Sequence, residues 1–165
     1  MLFILMGVSG SGKSSVGGAV AQRLGLRFFE GDEFHPRANV ERMAARIPLT
    51  DDDRVPWIAA LSRAVNDSCA RNAVLACSAL TDRVRVQLVR EITQPITFIH
   101  LTGNAALIRE RLRRRGQHFM KSGMLDSQIA ALEHPRDAIA VDIDQPLSQV
   151  IERVEALVAA RIEPS

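Results

Sequence analysis

Eight residues near the start of the chain, Gly7-Val8-Ser9-Gly10-Ser11-Gly12-Lys13-Ser14, fit the spacing G-x-x-x-x-G-K-[ST] and directly follow the apolar run Leu2 to Met6. Residue types in this order bind phosphate. The glycines let the backbone curl until successive N–H groups point inward at the β- and γ-phosphates of a nucleotide, and a helix starting near Lys13 adds the positive end of its dipole. Lys13 supplies a mobile point charge and Ser14 a hydroxyl for Mg²⁺, with Ser15 completing the stretch that faces the nucleotide. Only two lysines, Lys13 and Lys121, stand among the 21 basic residues. A chain that uses arginine almost everywhere has kept lysine where a planar guanidinium would not fit.

Other groups with chemical capacity follow. Glu30-Gly31-Asp32 places two carboxylates at the end of a short expected second strand, Leu26 to Phe29, and in open α/β sheets the C-terminal edge of a strand is where ligands bind. His35 precedes Pro36 and is read equally as a substrate contact or as a helix-entry cap. Thr50-Asp51-Asp52-Asp53 is a helix entrance or a metal site; three consecutive carboxylates converge poorly on one ion, which favours capping. Arg109, Arg111, Arg113, Arg114 and Arg115 crowd one helix, as a solvated face or as a source of charge for a phosphoryl group.

The elements that must position these groups alternate. The run Leu2 to Met6 has the uniform apolarity of a central parallel strand buried on both faces. Val16, Val20 and Leu24 give the next helix its core stripe; Gly17 and Gly18 suggest close packing against the sheet, and Gly25 ends it. Val40, Met43 and Ala44 form the expected apolar side of a second helix. Further strands are expected at Ala73 to Cys77, Ile96 to Leu101 and Ala138 to Ile143. Between them lie helices carrying Leu61 and Val65, then Val84, Leu88 and Ile92, then Ile108 and Leu112, and finally a stripe from Leu147 to Ile162. The architecture expected is α/β, a five-stranded parallel sheet flanked by helices on both faces.

Length and composition bound the rest. With 165 residues, 47 % of them hydrophobic and 24 % charged, the chain suits one domain over 1–165. A formal charge of +2 gives no argument for nucleic acid or a membrane as partner. Cys69 and Cys77 lack metal-site spacing and are expected to be reduced, partly buried thiols; the N-terminal apolar run is too short for a span or leader, so a cytoplasmic location is expected. There is no N-K-x-D guanine signature, and the third strand ends in Cys77-Ser78 where an ordinary Walker B would place an acid.

The blocks MGVSGSGKSS, EGDEFHPRANVERM, PLTDDDRVPWIAAL, ACSAL, RRRGQHFMKSGMLDSQIAALEHP and VDIDQPL resemble, in order and spacing, the bacterial gluconate kinases, P-loop small-molecule kinases related to shikimate kinase. The resemblance covers nearly the whole chain. It implies transfer of the γ-phosphoryl group of ATP, with Mg²⁺, to the 6-hydroxyl of D-gluconate, in a homodimer; a shikimate-type kinase acting on another polyol acid is the alternative. It also implies a P-loop kinase fold with a lid at about 113–124. Asp32 would orient the reacting hydroxyl and Glu30 would hold Mg²⁺ through water.

A sugar acid needs a cationic fork for its carboxylate, and Arg54 beside Trp57 is the candidate, with pairing to the neighbouring acids as the competing reading. Arg85 and His35 are taken as further substrate contacts, Arg111 as a nucleotide contact and Arg115 as the catalytic lid cation. Asp142 to Pro146 resembles the loop that touches adenine. The sequence departs from the family pattern at Thr81 and Val84, where a lysine and a tyrosine are usual. A nucleotide-binding regulator without catalysis is the reading from another class that those departures leave open.

Overall fold

The computed structural model describes residues 1–45, 47–114 and 122–162. Its centre is β1 (Leu2–Met6), every residue of which is buried. The other strands are β2 (Arg27–Glu30), β3 (Ala73–Ala76), β4 (Ile96–Thr102) and β5 (Ile139–Asp142), and all pairings are parallel in the order β2-β3-β1-β4-β5. Leu5 lies opposite Ala76 on one side and Ile99 on the other.

Side chains alternate across a strand, so β1 feeds two cores. Phe3 and Leu5 meet Val16 and Val20 of α1 (Lys13–Leu24), Ile108 and Leu112 of α5 (Ala105–Arg114), Leu125 of α6 (Ser122–Ala131), and Val150 and Val154 of α7 (Leu147–Ala159). Leu2, Ile4 and Met6 meet Trp57, Ile58, Leu61 and Val65 of α3 (Asp51–Asp67) together with Val84 and Leu88 of α4 (Asp82–Glu91). With both faces covered, no position of β1 can be polar without burying an unpaired group, which explains the uniform run.

Several expectations hold locally. Gly25 ends α1 in the left-handed conformation, φ 65°. Thr50 caps α3 through a reciprocal box: its hydroxyl accepts from the Asp53 N–H at 3.2 Å, and the Asp53 carboxylate accepts from the Thr50 N–H at 2.8 Å. The Thr50 N–H and the Thr50 hydroxyl, each donating to the Asp53 carboxylate at 2.8 Å, hold that carboxyl below the usual carboxylate range. Asn104 accepts from the Ala106 N–H at the start of α5.

Others need correction. In α2 (Arg37–Ala44) the buried residue is Asn39, while Val40 is half exposed; the helix is tethered through a polar contact and not through an apolar stripe. Leu147 is exposed, so the stripe of α7 starts at Val150. Cys69 is exposed and only Cys77 is buried.

The two glycines of α1 also differ. A Cβ at Gly17 would lie 2.9 Å from the Phe28 ring, whereas one at Gly18 would meet nothing within 4 Å. Gly18→Ala is therefore expected to raise stability by about 1 kcal/mol, the helix-propensity difference. Gly17→Ala should fall short of that gain because Phe28 must move. Urea denaturation of the two variants checks the contrast.

Candidate active site

The loop between β1 and α1 has the geometry its sequence demands. Gly7, Gly10 and Gly12 take φ of 140°, 85° and 97°, values that L side chains rarely adopt. The Lys13 ammonium donates to the carbonyls of Gly7 at 2.9 Å and Val8 at 3.1 Å, arching over the loop it follows. Ser14 and Ser15 are exposed in the first turn of α1, whose leading N–H groups have no partner within the helix. The loop sits at the C-terminal end of β1, with β3 on one side and β4 on the other. That is the crevice where ligands of open α/β sheets bind.

The acceptor side is built from the β2–α3 segment. Beyond β2 a 3-10 turn, Gly31–Phe34, carries Asp32, whose exposed carboxylate makes no hydrogen bond or ion pair among the described residues. Gly31 is required by close approach, since a Cβ there would lie 2.6 Å from the Ala76 carbonyl. The Gly31 carbonyl accepts from the buried Trp57 indole at 2.7 Å, which locks the turn to α3. His35 stacks on Trp57, ring centroids 4.5 Å apart and planes 10° from parallel. Arg54, one turn before Trp57, lines a small cleft with Ser78, Ala79 and Thr81.

Electrostatics links these pieces. The Cys77 thiol at the end of β3 is fully buried, and desolvation pushes it up to about 12; it also feels the charges of Lys13, Asp32 and Glu30. His35 is lowered, first by burial, with the Asp32 carboxylate opposing and the Arg54 guanidinium assisting. Lys13, Glu30 and Asp32 therefore lie within electrostatic range of the end of β3, and Asp32 and Arg54 within that of His35. His35 is neutral near pH 7, and its Nδ1 accepts from the Asn39 carboxamide at 3.4 Å. That contact leaves the proton on Nε2, a donor for a substrate hydroxyl.

A chemical consequence of the thiol environments can be measured. In the native protein, one thiol (Cys69) is expected to react with a disulfide reagent at pH 8, and Cys77 only after denaturant is added. Two fast thiols would show that the end of β3 opens.

The chain was compared with known proteins. The shikimate kinase family model matches residues 9–163. The thermoresistant gluconokinase of Escherichia coli K12 is 45 % identical over 156 residues, 91 % of this chain and 89 % of that one. The gluconokinase of Gluconobacter oxydans 621H is 44 % identical over 149 residues, 89 % and 80 % of the two chains. The crystal structure of a gluconokinase from Sinorhizobium meliloti 1021 superposes with a TM-score of 0.85 at 41 % identity, covering 96 % of this chain and 91 % of that one. This chain belongs to the gluconokinase family. It has the P-loop kinase fold expected from its motifs, and it is a kinase.

The remaining residues singled out in the sequence divide. Arg54 pairs with Asp51 at 2.9 Å, the competing reading, while still lining the cleft. Arg85 is buried, and four hydrogen bonds hold its guanidinium within the protein: to the carbonyls of Ala79, Leu80 and Glu133 and to the Asp82 carboxylate. It braces the loop after β3, so the substrate contact that the resemblance implies would require it to give up one of these bonds.

Arg111 donates to the Ile143 carbonyl at 2.7 Å, joining α5 to the loop that resembles the adenine contact. Glu30 lines a second cavity, of about 390 Å³, between β2 and α3 with Arg27, Glu33, Phe34 and Asp67. None of residues 7–14 lines that cavity, so it is separate from the phosphate site.

Thr81 and Val84, the departures from the family pattern, have local roles. The Thr81 hydroxyl accepts from the Val84 N–H and caps α4, and Val84 is buried against α3. Arg115 and the greater part of the expected lid, residues 115–121, lie outside the described residues.

Two contacts escaped sequence reasoning. Asn39, buried in α2, donates to the Asp53 carbonyl at 2.7 Å and so joins His35 to the start of α3. Gln128 of α6 accepts from the Ser9 N–H at 2.6 Å across 119 residues of sequence. An uncharged residue on a helix with no marked apolar face gives no local signal of either role.

Proposed function

We propose that this protein transfers the γ-phosphoryl group of ATP to the 6-hydroxyl of D-gluconate, giving 6-phospho-D-gluconate. The observation that carries the reading is the grouping of Lys13 and Asp32 within electrostatic range of the end of β3, and of Asp32 and Arg54 within that of His35, in a chain 45 % identical to a gluconokinase over most of its length. Residues 1–165 are taken as one kinase domain. The backbone and Lys13 bind the phosphates and stabilise charge on the transferred group. Asp32 orients the reacting hydroxyl and accepts its proton, and neutral His35 donates from Nε2 to a neighbouring hydroxyl. Arg54 receives the carboxylate, exchanging part of its contact with Asp51 for a bidentate pair.

Mg²⁺ fits the donor set through the exposed Ser14 hydroxyl, with Glu30 reaching it through water. No cluster of three metal-binding side chains exists among the described residues, and Mg²⁺ commonly relies on phosphates and water. Bound there, it would neutralise phosphate charge. Arg111 and Arg115 are proposed to supply charge from the lid, Arg115 on sequence grounds alone. A homodimer and a cytoplasmic location complete the reading. No described helix is long and apolar enough to cross a membrane.

The test offers Mg-ATP with gluconate, shikimate and other sugar acids to the purified protein while ADP is followed. ADP release with gluconate is expected. Release with another acid but not with gluconate overturns the assignment and favours a shikimate-type kinase of different acceptor range.

A further inference from the structure

The phosphate loop contains three glycines at positive φ, and a loop of that composition loses much conformational entropy when it is held in one shape. The structure shows what holds it. Gly7 donates to the Ser78 carbonyl at 3.3 Å, and the Leu101 carbonyl lies so close that a Cβ at Gly7 would approach it to 2.8 Å. Gly10 is covered by Leu112 and Ile108 of α5, where a Cβ would come within 2.8 to 3.1 Å of their side chains. Ser9, between them, is held by the Gln128 carboxamide at 2.6 Å. Among the described residues, this is the hydrogen bond that a side chain outside the loop makes to its backbone.

Gln128 is itself fixed. Leu125, one turn earlier in α6, is fully buried in the core shared with Val8, Ile108 and Leu112. Asp126 pairs with Arg109 of α5 at 2.5 Å, and the segment just after α6 is bonded back to the loop after β3 through the Glu133 N–H and the Leu80 carbonyl at 3.0 Å. A side chain on so anchored a helix acts as a fixed post and not as a plug that nucleotide must push aside.

We propose that Gln128 is a positioning residue of the phosphate site: its carboxamide oxygen holds the Ser9 peptide so that the later N–H groups of the loop meet the phosphates without further ordering. The Ser9 N–H is then an anchor of the cradle and not one of its phosphate donors. Fixing donors in advance lowers the ordering cost that binding must overcome. The inference rests on residues 7–14 serving as the phosphate loop, and it is independent of which acid accepts the phosphoryl group.

Binding of the non-hydrolysable ATP analogue adenylyl imidodiphosphate, with Mg²⁺, is measured by calorimetry on the full chain. Gln128→Met, similar in length but without the acceptor, is expected to weaken binding by about 3- to 10-fold, the range for one net hydrogen bond, and to leave KM for gluconate unchanged. Ala130→Ser, exposed on the same helix and without a part in anchoring it, is expected to bind as wild type does. Gln128→Asn, one methylene too short to reach Ser9, carries the same expectation and serves if the Met variant does not fold.

Unchanged affinity in a folded Gln128 variant overturns the inference and leaves the proposed function standing. Tighter binding also overturns it and would make Gln128 a plug. Failure of the wild-type protein to bind the analogue would overturn both readings.

Discussion

Lys13→Ala is expected to lower kcat and kcat/KM for gluconate together by about 10²- to 10³-fold, the range for removing one preorganised charge-stabilising donor. The expectation follows from where the ammonium sits. It bridges the carbonyls of Gly7 and Val8 at the mouth of the loop, beside the backbone that would cradle the phosphates. Its contribution grows as charge moves onto the transferred phosphoryl, so the loss appears in kcat and not only in nucleotide binding. The fold should survive, because Lys13 is half-buried at a helix start and takes no part in either apolar core. Steady-state kinetics with a circular dichroism control checks both halves; a folded variant with near-wild-type kcat would contradict the phosphate-site assignment.

Asp32→Asn is expected to reduce kcat by about 10²- to 10⁴-fold, the usual range for a general base, with ATP affinity little changed. The exchange keeps shape and removes charge, and Asp32 carries no packing or pairing role that its loss would disturb. One indirect effect can be set aside. The Asp32 carboxylate raises the His35 pKa against burial, so its removal lowers that pKa further and leaves an imidazole already neutral at pH 7 still neutral. The measurement is kcat at saturating gluconate alongside calorimetric ATP-analogue binding. Unchanged kcat would move the proton-accepting role to Glu30.

Most of the sheet, the phosphate loop and the helix cap at Thr50 were legible because each is encoded locally: by unbroken apolarity in Leu2 to Met6, by glycine spacing, by a threonine directly ahead of consecutive acids. What was not legible is what polar side chains do across the chain. Periodicity marked Val40 as core where Asn39 is buried, because a single satisfied carboxamide can anchor a helix as a stripe does. Arg85 was taken as a substrate group from the family resemblance alone; the three carbonyls that surround it are backbone atoms with no sequence signature. Gln128 was invisible for the same reason.

The division of β1 between two cores has a bearing on how enzymes of this kind diverge. The nucleotide loop is underpinned by α1 and α5 on one face, through Val16, Ile108 and Leu112. The acceptor groups hang from α3 on the other, through Trp57, Ile58 and Leu61. Substitutions in the two layers are separated by the sheet itself, and distant changes that share no partner are close to additive in free energy. A lineage can therefore rework the layer that recognises the acid while drawing on the stability of a nucleotide layer left untouched. Acceptor range in such a scaffold is free to drift by small steps, and donor use is not.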